Sequence, residues 1–301
     1  MSNIILLIVC LLAGTMLRKI SQCPANTPDA LNGFIIYISL PSLALYHIHT
    51  LAITRELIYT GLMAWILFGL GAVFFYFAGK KLKFSRSTIG ALVLVGGLGN
   101  TSFVGLPMIQ AYYGSQWLGV GVVADLAGSF FVLSTLGIFA ASLSSSGAVN
   151  IRNIFNKILT FPPFLALVAA LLLKQVQFPE WFNFTLVQLG GTLTPLALVS
   201  VGFQLQLGLL KGETAPLALG LFYKLIMGPA IMTLLYVGIL KNSGTVIQVT
   251  IFEAAMAPMI SAGIVASNYK LNPPLISLML GIGIPLSFLT LPVWYWLLKG
   301  I

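Results

Sequence analysis

Two acidic side chains fall inside long apolar runs of the sequence, where ionisable groups are rare. Asp125 and Glu253 each lie eight or nine residues from the start of their run. An ionised carboxylate at that depth in a bilayer is costly unless it faces a cavity, a cation or a partner. We interpret both as candidate ion-coupling residues; the alternative is a structural ion pair or a protonated, hydrogen-bonded acid. Lys224 is the internal cation available as a partner, but its long stem could instead reach the membrane surface, a structural role that its position favours.

The densest polar stretch within any apolar run is Gly-Asn-Thr-Ser-Phe-Val-Gly-Leu-Pro at positions 99–107. Pro107 cannot donate the backbone hydrogen bond of a continuous helix, and Gly105 tolerates strained dihedral angles. The stretch therefore predicts an unwound segment at mid-membrane depth, followed by a half-helix that begins beyond Pro107. The N-terminal amides of such a half-helix carry a partial positive charge that suits an anion. The neutral donors and acceptors beside them are Asn100, Thr101 and Ser102.

A second interruption is predicted where Pro258 falls inside the run that carries Glu253. The same argument applies to Met259 and Ser261, which follow this proline along the chain. A pocket where the two interruptions meet would contain no arginine, so amides and helix dipoles would hold an anion there. No catalytic residue and no metal site is predicted. The predicted substrate-binding residues are Asn100, Thr101, Ser102, Gly105, Pro107, Pro258, Met259 and Ser261.

Membrane-spanning helices must position these side chains, because apolar runs fill nearly the whole chain. Of the 301 residues, 58% are hydrophobic and 7% are charged, against about 25% charged in a soluble domain. A helix needs about 20 apolar residues to cross a bilayer. The runs predict an all-α polytopic membrane protein with ten transmembrane helices, at residues 3–17, 31–48, 58–78, 88–112, 118–143, 161–173, 184–207, 216–240, 245–267 and 275–298.

The Lys and Arg residues predict the orientation of these spans. The loops after the odd-numbered spans hold ten of them, and the opposite loops and tail hold four. Basic residues favour the cytoplasmic side, so we expect the odd-numbered loops in the cytoplasm and both termini outside, in a multi-pass protein of a prokaryotic plasma membrane. The net charge of +9 is scattered between apolar runs, so the expected partners are the lipid bilayer and a small solute, and not nucleic acid.

The chain divides into two halves of five spans, which would have opposite orientations because five is odd. Pro41 and Pro195 lie in similar contexts 154 residues apart, and Pro107 and Pro258 lie 151 residues apart. Paired interruptions in inverted halves indicate the substrate site of a transporter. The alternative is that proline and glycine are simply common in membrane helices. The predicted divisions are a first five-helix repeat at 1–143, a cytoplasmic connecting loop at 144–160 and a second, inverted five-helix repeat at 161–301.

The polar stretch at 99–107 also resembles a family signature. Asn-Thr at 100–101, Gly-Leu-Pro at 105–107 and Tyr-Tyr-Gly at 112–114 are similar to the motif of the auxin efflux carrier family, which includes plant carriers and many bacterial relatives. The resemblance covers essentially the whole chain, without the long central loop of the large plant carriers. Further landmarks are Leu31-Asn32 with Tyr37, Leu40 and Pro41, and Asn268-Tyr269 with Asn272-Pro273.

The resemblance implies ten helices in two inverted repeats, in which helices 4 and 9 are broken and cross at the substrate site. It also implies that Asn100 contacts a substrate carboxylate, that Pro107 and Pro258 are the crossover prolines, and that a homodimer forms. Substrates in the family are auxin-like acids and carboxylates such as malate and malonate.

The related fold of the bile acid sodium symporters adds one candidate. A Glu-x-x-Met stretch on their helix 9 helps to bind sodium, and Glu253-Ala-Ala-Met256 is similar to it. The resemblance therefore adds Met256 to Glu253 and Asp125 as a third ion-coupling candidate. The glutamine that follows the methionine in those symporters is Ala257 here, and this departure weakens the inference of sodium.

The leading hypothesis is a secondary active transporter of small organic anions that works by alternating access. The alternatives are a sodium-coupled symporter of larger amphipathic anions and a membrane receptor that does not transport. An enzyme is not expected, because His47 and His49 are peripheral and no nucleophile has an evident base. The sequence has no Walker-type glycine loop, so Na⁺, H⁺ or the membrane potential would drive transport without a cofactor.

Overall fold

The computed structural model describes residues 2–52, 54–145, 159–204 and 213–301. Within these ranges the ordered elements are helical and no β-strand forms, which confirms the predicted all-α class. Most of the predicted connecting loop at 144–160 lies outside the described residues. So do Arg152, Lys157 and Lys211, which contributed to the predicted orientation.

The helices begin and end within a few residues of the predicted spans. Two of them are interrupted, and their parts are labelled a and b. In chain order they are α1 (Ser2–Leu17), α2 (Thr27–Thr50), α3 (Glu56–Lys81), α4a (Arg86–Gly96), α4b (101–112), α5 (Ser115–Ser144), α6 (Pro162–Leu172), α7 (Glu180–Gln204), α8 (Thr214–Ile239), α9a (Thr245–Ala254), α9b (Ile260–Asn268) and α10 (Pro273–Leu298).

The outer surface of this bundle suits a lipid environment. Six of the described helices, α2, α3, α5, α7, α8 and α10, are long and apolar enough to cross a membrane. Large apolar side chains cover the outside, among them Leu172, which is 79% exposed, and Trp296, which is 74% exposed. A water-soluble monomer rarely exposes apolar surface on this scale. The protein is therefore a multi-pass membrane protein.

Asn272 ties together three loops at one end of the bundle. Its backbone adopts the left-handed conformation, with φ 32°, and its Oδ1 caps α10 by accepting from Leu275 N at 3.2 Å. Its Nδ2 donates to Thr88 Oγ1 at 2.9 Å and to Glu213 Oε1 at 3.1 Å, and its amide donates to Ser87 Oγ at 2.9 Å. The first turn of α4a and the segments that precede α8 and α10 therefore meet.

The loops after α2 and α6 meet at the opposite end. Lys174 Nζ donates to the carbonyl oxygens of Ile48 and Leu51. His49 Nε2 lies 2.7 Å from Val176 O, and its ring stacks on that of Phe178 at 4.0 Å. These contacts give Lys174 and His49 structural roles at helix ends.

A glycine seam joins α1 to α7. A Cβ at Gly14 would overlap Val199 O and lie 2.8 Å from Phe203 N, and a Cβ at Gly202 would overlap Leu11 O. The obstructing atoms belong to the backbone, so neither helix can yield by rotating a side chain. Small residues let membrane helices approach this closely, and α1 is held against α7 for that reason.

Candidate functional site

The first interruption lies between α4a and α4b, at residues 97–100. Leu98 N donates to Leu94 O at 3.2 Å, the last helical hydrogen bond of α4a. Asn100 then leaves the helical conformation, with φ −81° and ψ 72°, and its Oδ1 accepts from Phe103 N at 3.1 Å. Asparagine is a favoured N-cap residue. Helical structure therefore resumes at Thr101 with a π-helical turn, Thr101–Gly105, followed by the α-helix Leu106–Tyr112.

The predicted role of Pro107 in this interruption is wrong. The chain is not unwound as far as Pro107, and the half-helix begins well before it. The proline is buried near the start of the α-helical part of α4b, where a missing amide is tolerated. The π-helical turn before it ends with Leu106 N bonded to Thr101 O, so the proline falls in the first turn of a new hydrogen-bonding register.

The second interruption separates α9a from α9b at residues 255–259, as Pro258 predicted. Met256 N still donates to Glu253 O at 3.2 Å, but Pro258 has no amide to continue the helix. Met259 is extended, with φ −76° and ψ 121°, and α9b begins at Ile260.

The two interruptions pair with each other through their backbones. Gly99 lies opposite Pro258 in an isolated antiparallel bridge. Asn100 N donates to Ala257 O at 2.8 Å, and Met259 N donates to Leu98 O at 3.2 Å. Backbone groups freed inside a membrane must find partners within the protein. We call this paired region the junction; Gly99, and not Pro107, is the residue that faces Pro258 there.

A cavity of about 260 Å³ lies beside the junction. Four of the predicted site residues line it: Ser102, Asp125, Met259 and Ser261. The other predicted substrate-binding residues, Asn100, Thr101, Gly105, Pro107 and Pro258, are buried and do not line this cavity. Asn100 and Pro258 belong to the junction, so their contribution to the cavity is its position.

Several wall residues of this cavity were not predicted. Phe103 comes from α4b and Asn268 from the end of α9b, whereas Phe130, Ser134 and Phe161 come from α5 and the start of α6. Asn268 belongs to a family landmark and could have been found from that signal. The aromatic residues of α5 and α6 carry no such signal, because phenylalanine is ordinary in a membrane helix.

Asp125 is linked to the junction through Thr101. Thr101 Oγ1 donates to Asp125 Oδ1 at 2.6 Å, and both residues are buried. Hydrogen bonds of this length to a carboxylate are typical of charge-assisted pairs. Asn100 is also buried, and its Nδ2 has no hydrogen-bond partner within the described chain. An unpaired buried donor is costly, so this amide is a polar group that the described chain leaves unsatisfied.

Glu253 lies in the last turn of α9a, next to the junction. Its side chain is fully buried, and neither carboxylate oxygen has a hydrogen-bond partner among the described residues. The carboxylate packs directly on Gly105, where a Cβ would overlap Oε2 and lie 2.6 Å from Oε1. Met256 is fully buried as well. Glu253 contacts α4b at Gly105 and Asp125 contacts it at Thr101, four residues earlier, and of the two acids only Asp125 lines the cavity.

Lys224 of α8 does not reach the membrane surface, which corrects the structural role favoured for it. Its side chain is only 2% exposed, and Nζ donates to Ala254 O at 2.9 Å. No ion pair joins it to Glu253 or Asp125 in the described chain. The cation therefore lies at the junction and does not line the cavity.

A second cleft, of about 490 Å³, lies towards the end of the bundle at which α2 ends. His47, Gln110 and Thr194 contribute polar groups to it, and Thr194 Oγ1 donates to Gln110 Oε1 at 2.5 Å. This cleft and the smaller cavity share no lining residue. The described residues contain no group of three His, Cys, Asp or Glu residues that could hold a metal ion.

Comparisons with known proteins agree with this architecture. A family described as "Membrane transport protein" matches residues 1–295. An uncharacterised transporter of Methanocaldococcus jannaschii is 23% identical over 99% of this chain and 98% of its own length. An uncharacterised transporter of Methanothermobacter thermautotrophicus is 23% identical over 97% of this chain and 96% of its own length.

Proposed function

The chain belongs to the membrane transport protein family that includes the auxin efflux carriers, and from this premise we propose that it is a secondary active transporter of small organic anions. Its substrates are carboxylates such as malate, malonate or auxin-like acids, bound at the crossing of helices 4 and 9. Family and relatives are transporters and not enzymes. The observation that carries the proposal is the cavity of about 260 Å³ beside the paired interruptions.

Two half-helix N-termini converge on this cavity and suit an anion. Ser102 and Ser261 hold the second position of α4b and α9b, respectively, and both line the cavity. The first turn of a helix has amides without helical partners and carries a partial positive charge. No Lys or Arg of the described chain lines the cavity, so a carboxylate is held by amides, hydroxyls and dipoles.

The size of the cavity favours small substrates over large ones. Pockets for drug-sized ligands usually measure about 300–1,000 Å³, and this cavity measures about 260 Å³. A dicarboxylate of a few carbons is therefore a better match than a large amphipathic anion, which is the substrate of the alternative sodium-coupled symporter.

The proposed architecture is ten transmembrane helices in two inverted repeats, and a regular interval supports it. Helices α8, α9a and α10 begin 158 or 159 residues after α3, α4a and α5. Gly99 and Pro258 are separated by 159 residues, as are Ser102 and Ser261. This interval replaces the 151 residues inferred from Pro107. The packing is reciprocal too, because α1 lies on α7 whereas α6 lies on α2.

The positive-inside rule gives the proposed orientation. With the odd-numbered loops in the cytoplasm of a prokaryotic plasma membrane and both termini outside, the end bound together by Asn272 is cytoplasmic. The smaller cavity then opens towards the cytoplasm, since Ser134 and Asn268 lie in the halves of α5 and α9b nearest that end. The larger cleft faces outside. Alternating access then exposes the junction to one side at a time.

A homodimer remains part of the proposal by family analogy.

The proposed coupling step is protonation or cation binding at Glu253 and Asp125, with Met256 as a neighbour. Glu253 supports it best, because a fully buried carboxylate without hydrogen-bond partners is stable only when neutralised. Glu253→Gln should remove the dependence of uptake on the coupling gradient. Uptake by this variant that still follows an imposed proton or sodium gradient would exclude the role.

The proposed function is tested by uptake into proteoliposomes of malate, malonate, oxalate and an indole acid. Sodium and proton gradients are imposed separately. We expect saturable uptake of at least one acid, abolished in Asn100→Ala. We expect Ser102→Ala and Ser261→Ala each to raise the half-saturation concentration about three- to tenfold, the loss of one hydrogen bond. Ser287→Ala is the control, because Ser287 is a buried serine of α10 that does not line the cavity, and its Oγ bonds only Ile284 O within the described chain.

Other outcomes discriminate between the alternatives. Binding of an acid without flux would support a receptor, and sodium-driven uptake of large amphipathic anions alone would support the other symporter class. If no acid moves while the protein melts cooperatively, the carboxylate assignment fails.

A further inference from the structure

The last turn of α9a ends in the protein interior, where its free carbonyl groups cannot bond to water. The amides of Ala255 and Met256 donate to the carbonyl oxygens of residues 251–253. The remaining carbonyl, that of Ala254, accepts from Lys224 Nζ at 2.9 Å. An ammonium group from a different helix therefore completes the end of this half-helix.

The surroundings of this ammonium are those of a cation site. A helix C-terminus carries a partial negative charge and stabilises a nearby cation. Glu253 adds a buried carboxylate from the same turn, without a hydrogen-bond partner among the described residues. On the α4 side, a Cβ at Gly99 would lie 3.0 Å from Lys224 Nζ, so the ammonium is packed against the interruption itself. Backbone carbonyls at a half-helix end are also the ligands with which broken helices bind sodium in transporters.

Lys224 is badly placed to act as a counter-ion for the substrate. Its side chain is 2% exposed and does not line the cavity. The cavity instead presents Asp125, Ser102 and Ser261. The lysine therefore serves the backbone of the junction and not the solute.

We propose that the Lys224 ammonium is the resident cation of the junction and occupies the place of a free monovalent cation. The protein consequently does not bind sodium there, and transport is not coupled to sodium. The claim that transport is not coupled to sodium rests on the proposed transport function. The claim that the junction does not bind sodium does not rest on it. The charged groups around the junction are Lys224 on α8, Glu253 on α9a and Asp125 on α5. Of these, the two acids remain as carriers of a coupling proton.

The first test measures melting of the purified wild-type protein in detergent, in sodium chloride and in choline chloride of equal ionic strength. We expect the two melting temperatures to agree at every concentration. A saturable rise that is specific to sodium would overturn the proposal. This measurement needs neither a variant nor a transported substrate.

The second test removes the ammonium and looks for sodium in its place. In Lys224→Ala we expect a sodium-specific rise in melting temperature of about 2–5 °C at sodium ten times its dissociation constant. Lys174→Ala is the matched control, because Lys174 also donates to carbonyls at a helix end, those of Ile48 and Leu51. An equal response of the two variants to sodium would overturn the proposal. Lys224→Arg keeps the charge and should be as insensitive to sodium as the wild type.

The transport readout separates this inference from the proposed function. Wild-type uptake of a carboxylate should be unchanged when sodium is replaced by choline on both sides at constant pH. Uptake that needs sodium would overturn the resident-cation role while leaving the carrier assignment intact. If no carboxylate is transported, the proposed function fails and the melting experiments still decide whether Lys224 replaces a cation.

Discussion

The glycine seam and the junction both use glycine to bring backbone segments together, but with different results. At the seam, Gly14 and Gly202 let two helices touch while their own backbone hydrogen bonds remain intact. At the junction, Gly99 faces a proline, and Gly105 makes room for the carboxylate of Glu253. At the seam, backbone atoms of two helices contact each other, whereas the region of the junction encloses polar and ionisable groups.

The difference shows which contact serves stability and which serves function. Close packing without unsatisfied polar groups is how membrane helices associate. Interrupted helices and buried acids are costly in a bilayer and persist where a solute or an ion passes. Substitutions at the seam should therefore lower stability and spare transport, whereas substitutions at the junction should affect transport more than stability.

The largest expected loss of stability is at the seam. Gly202→Ala places a methyl group against Leu11 O, and because neither backbone can move aside, unfolding should become easier by about 3 kcal/mol, the upper range for overpacking. Thermal melting in detergent measures this change. Uptake per folded molecule should stay at the wild-type value.

Gly69→Ala is the control for the seam, because Gly69 lies within α3 and a methyl group there would have no neighbouring atom within 4 Å. It should gain about 0.5–1 kcal/mol from helix propensity. Equal effects of Gly202→Ala and Gly69→Ala on the melting temperature would show that close backbone packing at the seam does not stabilise the protein.

A smaller loss is expected where the junction meets Asp125. Thr101→Val removes the 2.6 Å hydrogen bond to Asp125 Oδ1 and should cost about 2 kcal/mol, as for a bond to a charged group. Ser200→Ala removes a 2.7 Å bond between neutral side chains, from Ser200 Oγ to Asn32 Oδ1 beside the seam. It also removes the 3.1 Å bond that Gln204 Nε2 donates to Ser200 Oγ, but this amide keeps Ser200 O as an acceptor, so the cost should be about 1 kcal/mol.

Melting of both variants, together with uptake, sharpens the contrast between the two regions. Thr101→Val should also depress uptake, whereas Ser200→Ala should not. A cost at Ser200 that equals or exceeds the cost at Thr101 would contradict the view that the junction is the more strongly polar region.

Gly105→Ala should cost no more stability than Ser200→Ala. Its methyl would overlap Glu253 Oε2, but a side chain can rotate away, so the cost should be about 1 kcal/mol, the lower end for overpacking. Uptake should nevertheless fall about tenfold or more, since about 1.4 kcal/mol of lost transition-state stabilisation corresponds to tenfold in rate.

A double-mutant cycle with Glu253→Ala tests this explanation. The two changes should be less than additive in melting, because residues in contact couple by about 0.5–3 kcal/mol. Strict additivity would show that Gly105 does not serve to accommodate the carboxylate.

Much of the fold could be predicted from the sequence, because apolar composition acts locally. The bounds of α2, α3 and α10 differ from the predicted spans by a few residues, since a membrane helix satisfies its own backbone wherever it runs. The interruption at Pro258 was predicted because proline has no amide to donate within a helix, although α10 continues through Pro285 and Pro292. The interruption in α4 was misplaced because Pro107 competes with the cap formed by Asn100, and the cap lies earlier in the chain.

Only part of the cavity lining was among the predicted site residues. Ser102, Asp125, Met259 and Ser261 meet in one cavity, although the first two and the last two come from distant parts of the chain. The aromatic walls from α5 and α6 could not be foreseen, because any apolar residue suits a membrane helix and only packing selects the ones that face a cavity.

By itself, the sequence determined the helical class, the approximate helix ends, the two interruptions and the burial of two acids. These depend on local hydrogen bonding and on the free energy of placing each side chain in lipid. Only the tertiary structure decided that Gly99 faces Pro258, that Glu253 packs on Gly105 and that Lys224 completes the end of α9a. Each of these contacts joins residues far apart in the chain, and it forms because a backbone or charged group without water must find its partner across the bundle.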